Sequence, residues 1–264
     1  MDLQLTGKLA LVTGSTAGIG LAIGSTLAGE GATVIINGRS ESRVAGAVAK
    51  IRQKYPQAKL EMLAGDLSKA EVVKQATSRF PHVDILINNL GIYEPKSFED
   101  ISDEDWMAMI ETNFMSGVRL SRHYLPKMRP KNWGRIIFIS SESAINIPVE
   151  MIHYGVTKTM QLALARGLAE TTAGTGVTVN SILAGATRSE GVEGFVSQMA
   201  KSRGVEPFVV EKEFFETVRP SSLLKRFATA EEVAALVAFV ASPLSSATNG
   251  TALRVDGGVV RSII

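Results

Sequence analysis

The chain reads as an α/β protein, a doubly wound parallel sheet of about seven strands with helices on both faces. Three observations carry that reading. Short apolar, β-branched runs alternate with longer helical patterns along the whole chain. Most of the runs are apolar throughout instead of alternating, as strands covered on both faces require. The first run leads through a glycine-rich turn directly into a helical pattern.

In chain order, the strand candidates are Leu9–Val12, Thr33–Ile36, Leu60–Leu63, Ile85–Ile87, Ile136–Ile139, Val177–Ile182 and Ala252–Val255. Helical patterns lie between them at Ile19–Glu30, Glu41–Lys54, Ala70–Arg79, Asp103–Lys127, Tyr154–Thr171 and Ala230–Ala241. Ser102 and Thr229 are suited to N-caps, and Gly31, Gly174 and Gly176 to stops. Thr187–Arg226 breaks the rhythm, with glycines, charges and apolar patches but no strand. Its helical segments are expected to form a lid over the carboxyl ends of the strands, where such sheets bind ligands. No repeat, low-complexity tract or linker divides the chain. Residues 1–264 are therefore expected to form one domain, with the lid insertion at about 187–226.

Composition excludes several functions. The 264 residues carry 28 basic and 26 acidic side chains, a net charge of +2. That balance gives no reason to expect nucleic acid or an anionic membrane as partner. With no cysteine, disulfides, thiol nucleophiles and thiolate metal sites are excluded, and a reducing compartment, the cytoplasm, is compatible. The N-terminus lacks the features of a signal peptide, and no apolar stretch approaches the ~20 residues of a membrane span. His82, His123 and His153 are scattered, and no spacing suggests a metal site.

The glycine turn is Thr13-Gly14-Ser15-Thr16-Ala17-Gly18-Ile19-Gly20. Gly14, Gly18 and Gly20 permit tight turning and close backbone approach to a phosphate. The helix beyond offers free N–H groups and a positive dipole end. This strand–loop–helix context makes the sheet Rossmann-like and points to a dinucleotide. An acidic residue at the end of the second strand favours NAD, but here that position falls at Gly38, followed by Arg39 and Ser40. No carboxylate is there to repel a 2′-phosphate, and a guanidinium is available to bind it, so NADP(H) is favoured over NAD(H). Asp66, after the third strand, could bind the adenine amino group through its carboxylate or a neighbouring backbone group at Leu67. It could also N-cap the next helix.

The chemistry points to Tyr154-Gly155-Val156-Thr157-Lys158, with Ser141 thirteen residues before the tyrosine. On a helix, positions i and i+4 share a face, so the Lys158 ammonium is expected beside the Tyr154 phenol. A free phenol titrates near pH ~10, and a unit charge about 4 Å away is worth roughly 4 kcal/mol at an effective dielectric near 20. The ammonium is therefore expected to lower the phenol. Taken alone, a tyrosine and a lysine four apart also describe an ordinary helix pair.

The motifs together resemble the short-chain dehydrogenase/reductase family over nearly the whole chain. They are TGSTAGIG at 13–20, Asp66, NNLG at 88–91, Asn113, Ser141, YGVTK at 154–158 and LAG at 183–185. The resemblance implies that Tyr154 is the general acid in reduction or the base in oxidation. It implies that Lys158 tunes Tyr154 and holds the nicotinamide ribose, that Ser141 orients the substrate oxygen, and that Asn113 holds a water relaying protons to Lys158. Asn88 and Gly91 would support the adenosine side of the cofactor and the sheet edge. The cofactor contacts it implies are Gly14, Ser15, Thr16, Gly18, Ile19, Gly20, Arg39, Ser40, Asp66, Leu67, Asn89, Gly91, Tyr154, Lys158, Gly185, Thr187 and Ser189.

Three departures from the family pattern stand out. Leu90 replaces an alanine, Ala184-Gly185-Ala186 lacks both usual prolines, and Thr187 and Ser189 stand where an aliphatic residue and a threonine are usual. Without the prolines the loop is expected to be more mobile. Ser140 and Ser143 rival Ser141, with Ser143 expected to line the pocket. Glu94, Glu142 and Glu150 lie near the pocket loops, where exposed carboxylates are the commoner outcome, and none is assigned a role. His153 could line the pocket beside Tyr154. Lys127, Arg129 and Lys131 are read as a solvated helix end.

The expected activity is an NADP(H)-dependent interconversion of a secondary alcohol and a ketone. 3-Oxoacyl-(acyl-carrier-protein) reductase and NAD-dependent sugar or polyol dehydrogenase are specific alternatives, and a nucleotide-sensing binding protein is the rival without turnover. The family implies a small-molecule carbonyl or alcohol substrate and a homotetramer or homodimer.

Overall fold

The computed structural model describes residues 1–263, with Phe195 described by its backbone only, so Ile264 at the end of the expected domain lies outside the described residues. Seven strands form one sheet in the order β3-β2-β1-β4-β5-β6-β7. They are β1 (Leu9–Val12), β2 (Thr33–Gly38), β3 (Leu60–Ala64), β4 (Ile85–Asn88), β5 (Gly134–Ser141), β6 (Val177–Ala184) and β7 (Ala252–Val255). Every pairing is parallel. The strand order reverses between β1 and β4, which opens a crevice at their carboxyl ends.

Burial on both faces explains the apolar runs. Every residue of β4, β5 and β6 is buried. One face is covered by α1 (Gly18–Gly29), α2 (Glu41–Lys54) and α9 (Ala230–Ala241), which contribute Ile23, Leu27, Val44, Ile51, Val233 and Val237 to its core. The other face is covered by α3 (Ala70–Arg79), α5 (Ser116–Met128) and α6 (Ile152–Glu170), through Val73, Leu120, Tyr124, Met128 and Ala165.

The strands run further than the apolar runs suggest. β5 begins at Gly134 and ends at Ser141. It takes in Arg135, fully buried and bonded to the carbonyls of Gly134, Gly176 and Ser242. These carbonyls and the Trp133 ring, 4.8 Å away, replace water around the guanidinium, and burial pushes its pKa down to about 10.

The expected single helix from Asp103 to Lys127 is interrupted. α4 (Asp103–Ile110) passes through a π-helical turn (Glu111–Met115) into α5. The turn centres on Asn113, whose side chain leaves the helix to bond the loop after β4. One extra residue in a helical turn re-aims side chains and frees a backbone carbonyl.

Residues 187–226 form α7 (Glu190–Arg203), α8 (Pro207–Glu213) and a π-helical turn at Phe214–Val218. They enclose a small core of Val196, Ala200, Val210, Phe215 and Phe227. The ends of the segment are tied together by Arg188 N–H to Ala228 O and Ala228 N–H to Ala186 O.

Both expected N-caps close a reciprocal box. At α9, Thr229 Oγ1 accepts from Glu232 N–H, and Glu232 accepts from Thr229 N–H. Thr229→Ala is expected to lower unfolding stability by about 1 kcal/mol. Urea denaturation of the two proteins side by side checks this, and an unchanged midpoint contradicts it.

Candidate active site

The glycine turn is held by side chains from three strands. Asn37, at the end of β2, accepts from Gly14 N–H at 3.0 Å and donates to the Leu63 and Gly65 carbonyls. Asn89 donates to the Thr13 and Gly14 carbonyls at 2.9 and 3.1 Å. Thr13 Oγ1 accepts from the N–H groups of Asn89 and Leu90. Ser15 is fully buried, donating to Val12 O and accepting from Asn37 N–H, so its hydroxyl belongs to the turn. α1 starts at Gly18, leaving its first N–H groups pointing out of the helix beside Thr16 and Ile19. A Cβ on Gly20 would fall 2.4 Å from Gly14 O and 2.5 Å from Asn89 Nδ2, so only glycine lets the turn close. These residues fit a dinucleotide phosphate, because the turn is rigid, carries no carboxylate and presents backbone donors. Asn37 was not anticipated, although its place at the end of the second strand was.

Arg39 and Ser40 are exposed just past β2, beside Gly38. Asp66 accepts from Ser68 N–H at 3.0 Å and shapes the turn after β3. It does not cap α3, whose N-cap is Lys69. Leu67 is fully buried in the core. Asn88 is buried and donates to Ser121 on α5, away from the glycine turn.

The catalytic candidates gather at the carboxyl end of β5 and the start of α6. Ser141 ends β5, and its hydroxyl lies beside the Tyr154 phenol, which it favours in ionised form. The spacing argument expected Lys158 to lower Tyr154, and the structure differs. Burial pushes the phenol up to about 12 and Lys158 down to about 8. The ammonium points at the Ile139 carbonyl, 2.8 Å away, and lies 5.6 Å from the centre of the Tyr154 ring. Desolvation penalises the charged form of each group and is the largest cause of both shifts.

Asn113 is buried with every side-chain atom engaged. Its Oδ1 accepts from Ile92 N–H at 2.7 Å, and its Nδ2 donates to Ile92 O and Thr157 Oγ1. The backbone carbonyl freed by the π turn accepts from Gln161 Nε2 at 2.5 Å, and Gln161 Oε1 lies 3.5 Å from Lys158 Nζ. The Gln161 amide thus links the Asn113 carbonyl to Lys158. Gln161 was missed. Its position three residues after Lys158 on the same helix was the available signal. Gly91 completes the group, with its Cβ position 3.5 Å from both Asn113 Oδ1 and Lys158 Nζ.

The family model described as enoyl-(acyl carrier protein) reductase matches residues 14–260. An uncharacterized oxidoreductase of Bacillus subtilis, YvaG, is 49% identical over 263 residues, covering 100% of both chains. D-beta-hydroxybutyrate dehydrogenase of Cupriavidus necator is 35% identical, covering 97% of this chain and 99% of that protein. The structure of L-sorbose reductase from Gluconobacter frateurii, complexed with NADPH and L-sorbose, aligns with a TM-score of 0.90 at 30% identity, covering 100% of both chains. The chain belongs to the short-chain dehydrogenase/reductase family.

In this NAD(P)-dependent short-chain dehydrogenase/reductase the remaining candidates separate cleanly. Ser140 donates to Lys158 O at 3.0 Å, which removes it as a rival to Ser141. Ser143 is buried, and its N–H donates to Ser141 Oγ, so it orients that hydroxyl and does not line an open pocket. His153 is also fully buried, edge-on to Trp106 with both ring nitrogens unbonded. The loop without prolines is pinned by Gly185 N–H to Val255 O and by Thr187 Oγ1 to Gly185 O, bonds that take over the restraint of the missing rings. Ser189 caps α7, with its Cβ 3.6 Å from the Cβ position of Gly18. Lys127 and Arg129 bond to Pro81 O and Thr171 Oγ1, and Lys131 lies 4.0 Å from Asp84. Glu142, left without a role, is 3% exposed. Among the described residues no group of three or more His, Cys, Asp or Glu could hold a metal ion, and no helix is long and apolar enough to cross a membrane.

The depressed Lys158 pKa has a defined stability signature. Below about pH 8 both folded and unfolded chains hold the proton, and folding bears the full desolvation cost. Between about 8 and 10.5 the unfolded chain holds more protons, so stability rises with pH. Relative to Lys158→Met, the unliganded wild type is expected to gain roughly 2–3 kcal/mol across that window. Urea unfolding at stepped pH measures it. Parallel curves for the two proteins would show that burial does not depress this lysine.

Proposed function

We propose that the enzyme is an NADP(H)-dependent reductase acting on a ketone of a small molecule, with the secondary alcohol as product. One observation carries this reading. A phenol kept protonated by burial stands beside a serine hydroxyl, at the same end of the sheet as a phosphate-binding glycine turn. Tyr154 then donates its proton to the substrate oxygen, and Ser141, oriented by Ser143 N–H, positions that oxygen. Lys158, whose proton burial makes labile near neutrality, stands 5.6 Å from the Tyr154 ring centre and would return the proton to the phenolate, while Ile139 O and Gln161 Oε1 hold the ammonium in place. The bound nicotinamide supplies the hydride.

Gly14, Thr16, Gly18, Ile19 and Gly20 would hold the phosphates, with Ser15 and Asn89 fixing the turn. Asp66, Leu67 and Gly91 would flank the adenosine and ribose, and Gly185, Thr187 and Ser189 the nicotinamide. Exposed Arg39, with Ser40 beside it and Gly38 in place of a carboxylate, supports the 2′-phosphate of NADP(H). The related L-sorbose reductase structure contains NADPH, which supports the same preference. Residues 187–226 act as the substrate lid, tied to the catalytic strand through Arg219 and Glu142. β7 forms one edge of the sheet, and we infer that two subunits pair there, with the α4–α5 and α6 faces completing a dimer or tetramer. A cysteine-free chain suits the reducing cytoplasm.

Two substitutions test the assignment. Tyr154→Phe is expected to lower kcat by at least about a thousandfold while NADPH binding stays within a few fold. Turnover near the wild-type level would remove the acid role from Tyr154. Arg39→Ala is expected to raise KM for NADPH at least about tenfold and leave KM for NADH little changed. A wild type with higher kcat/KM for NADH than for NADPH would reverse the cofactor assignment.

A further inference from the structure

The residue after Ser141 is a buried carboxylate whose second oxygen has no partner. Glu142 opens the short 3-10 turn that follows β5, and its side chain is 4% exposed. Its Oε1 accepts from Arg219 Nε at 2.7 Å, while Oε2 is buried with no hydrogen-bond partner among the described residues. Arg219 comes from the lid segment and reaches a second carboxylate, Glu150, at 3.6 Å. Two carboxylates thus share one guanidinium, and Asp256 adds to the negative field at Glu142. Glu142 and Arg219 both lie close enough to Tyr154 for their charges to act on its phenol.

We propose that Glu142 Oε2 accepts a hydrogen bond from a second hydroxyl of the substrate, so that the enzyme selects neutral hydroxyketones, ketoses among them, over carboxylate-bearing or unsubstituted ketones. This rests on the ketone-reductase reading above. A buried acceptor without a partner is costly, and a substrate hydroxyl removes that cost. A site built to bond a hydroxyl rejects the analogue that lacks it, because the protein group is then left unpaired. A substrate carboxylate fares worse still. Arg219 is already bonded on its Nε edge to Glu142 and faces Glu150, so the local excess is negative. Exposed apolar residues, Ile145, Ile147, Val149 and Leu223, rim the loops beside this group and receive the remainder of the molecule.

NADPH oxidation with a matched panel tests the proposal, using 3-hydroxybutan-2-one, butan-2-one, acetoacetate and L-sorbose as probes. The wild type is expected to show kcat/KM for the hydroxyketones at least about tenfold above that for butan-2-one and acetoacetate. In Glu142→Gln the ratio of hydroxyketone to butan-2-one is expected to fall toward one, in protein whose thermal melting and NADPH fluorescence show an intact fold. If that variant does not fold, the wild-type ratio decides alone. Preference of the wild type for butan-2-one or acetoacetate, or a ratio that survives in Glu142→Gln, overturns the role of Glu142 and leaves the ketone-reductase reading standing. Absence of NADPH oxidation with every ketone, in wild type and Tyr154→Phe alike, overturns both.

Discussion

The catalytic half of the molecule is organised around one buried ammonium. Lys158 lies where water cannot reach it freely and has no carboxylate within bonding distance, only the Ile139 carbonyl and the Gln161 amide oxygen. A desolvated charge must be surrounded by fixed dipoles or lose its proton, and this structure does some of each. The dipoles come from separate elements: β5 through Ile139, α6 through Gln161, and, one bond further on, the π turn through Asn113 O. Asn113 extends the chain to Ile92 after β4. The π turn, which weakens a helix considered alone, is the device that frees a carbonyl for this network. Four segments are thereby fixed around one side chain before any substrate arrives.

The nucleotide half uses a complementary device. There the polar side chains bond to the backbone so that other backbone groups stay free. Thr13, Ser15, Asn37 and Asn89 are all engaged in shaping the glycine turn. A phosphate site made of N–H groups needs no charged side chain, but it needs a backbone that does not relax, and these four residues supply that rigidity. The positive charge of Arg39 stands outside the turn, exposed past β2, where the proposed reading has it bear on the choice between two dinucleotides without altering the phosphate cradle.

Much of this was legible in the sequence. Short apolar runs and 3.6-residue periodicity mark the strands and helices because both faces of the sheet are covered, and Ser102 and Thr229 announce their helices through capping boxes. What the pattern could not show has physical causes. Arg135 reads as a strand flank, since burial of a guanidinium is visible only when the carbonyls of Gly176 and Ser242, distant in sequence, converge on it. The break at Asn113 is hidden because its cause is a contact with Ile92, twenty-one residues away. The spacing of Tyr154 and Lys158 gave their common face correctly and their electrostatics wrongly. Periodicity reports proximity, whereas a pKa also depends on how much water each group has lost. Glu142 went unassigned for the same reason, because a loop carboxylate is buried only if something distant, here Arg219, comes to meet it.

The end of β5 shows how one short segment serves several tasks. Ser140, Ser141, Glu142 and Ser143 are consecutive, polar and all buried. Alternation along the strand sends Ser140 toward the Lys158 carbonyl and Ser141 to the opposite side, toward Tyr154. The 3-10 turn then redirects the chain, so that Glu142 meets Arg219 of the 187–226 segment and Ser143 returns its N–H to Ser141. The Ser141 hydroxyl and the Glu142 carboxylate are therefore neighbours on one rigid backbone. In the proposed mechanism a movement of Arg219 would reach Ser141 through one residue of backbone, so substrate fit and proton transfer would be coupled by covalent geometry, with no need for a longer path through the core.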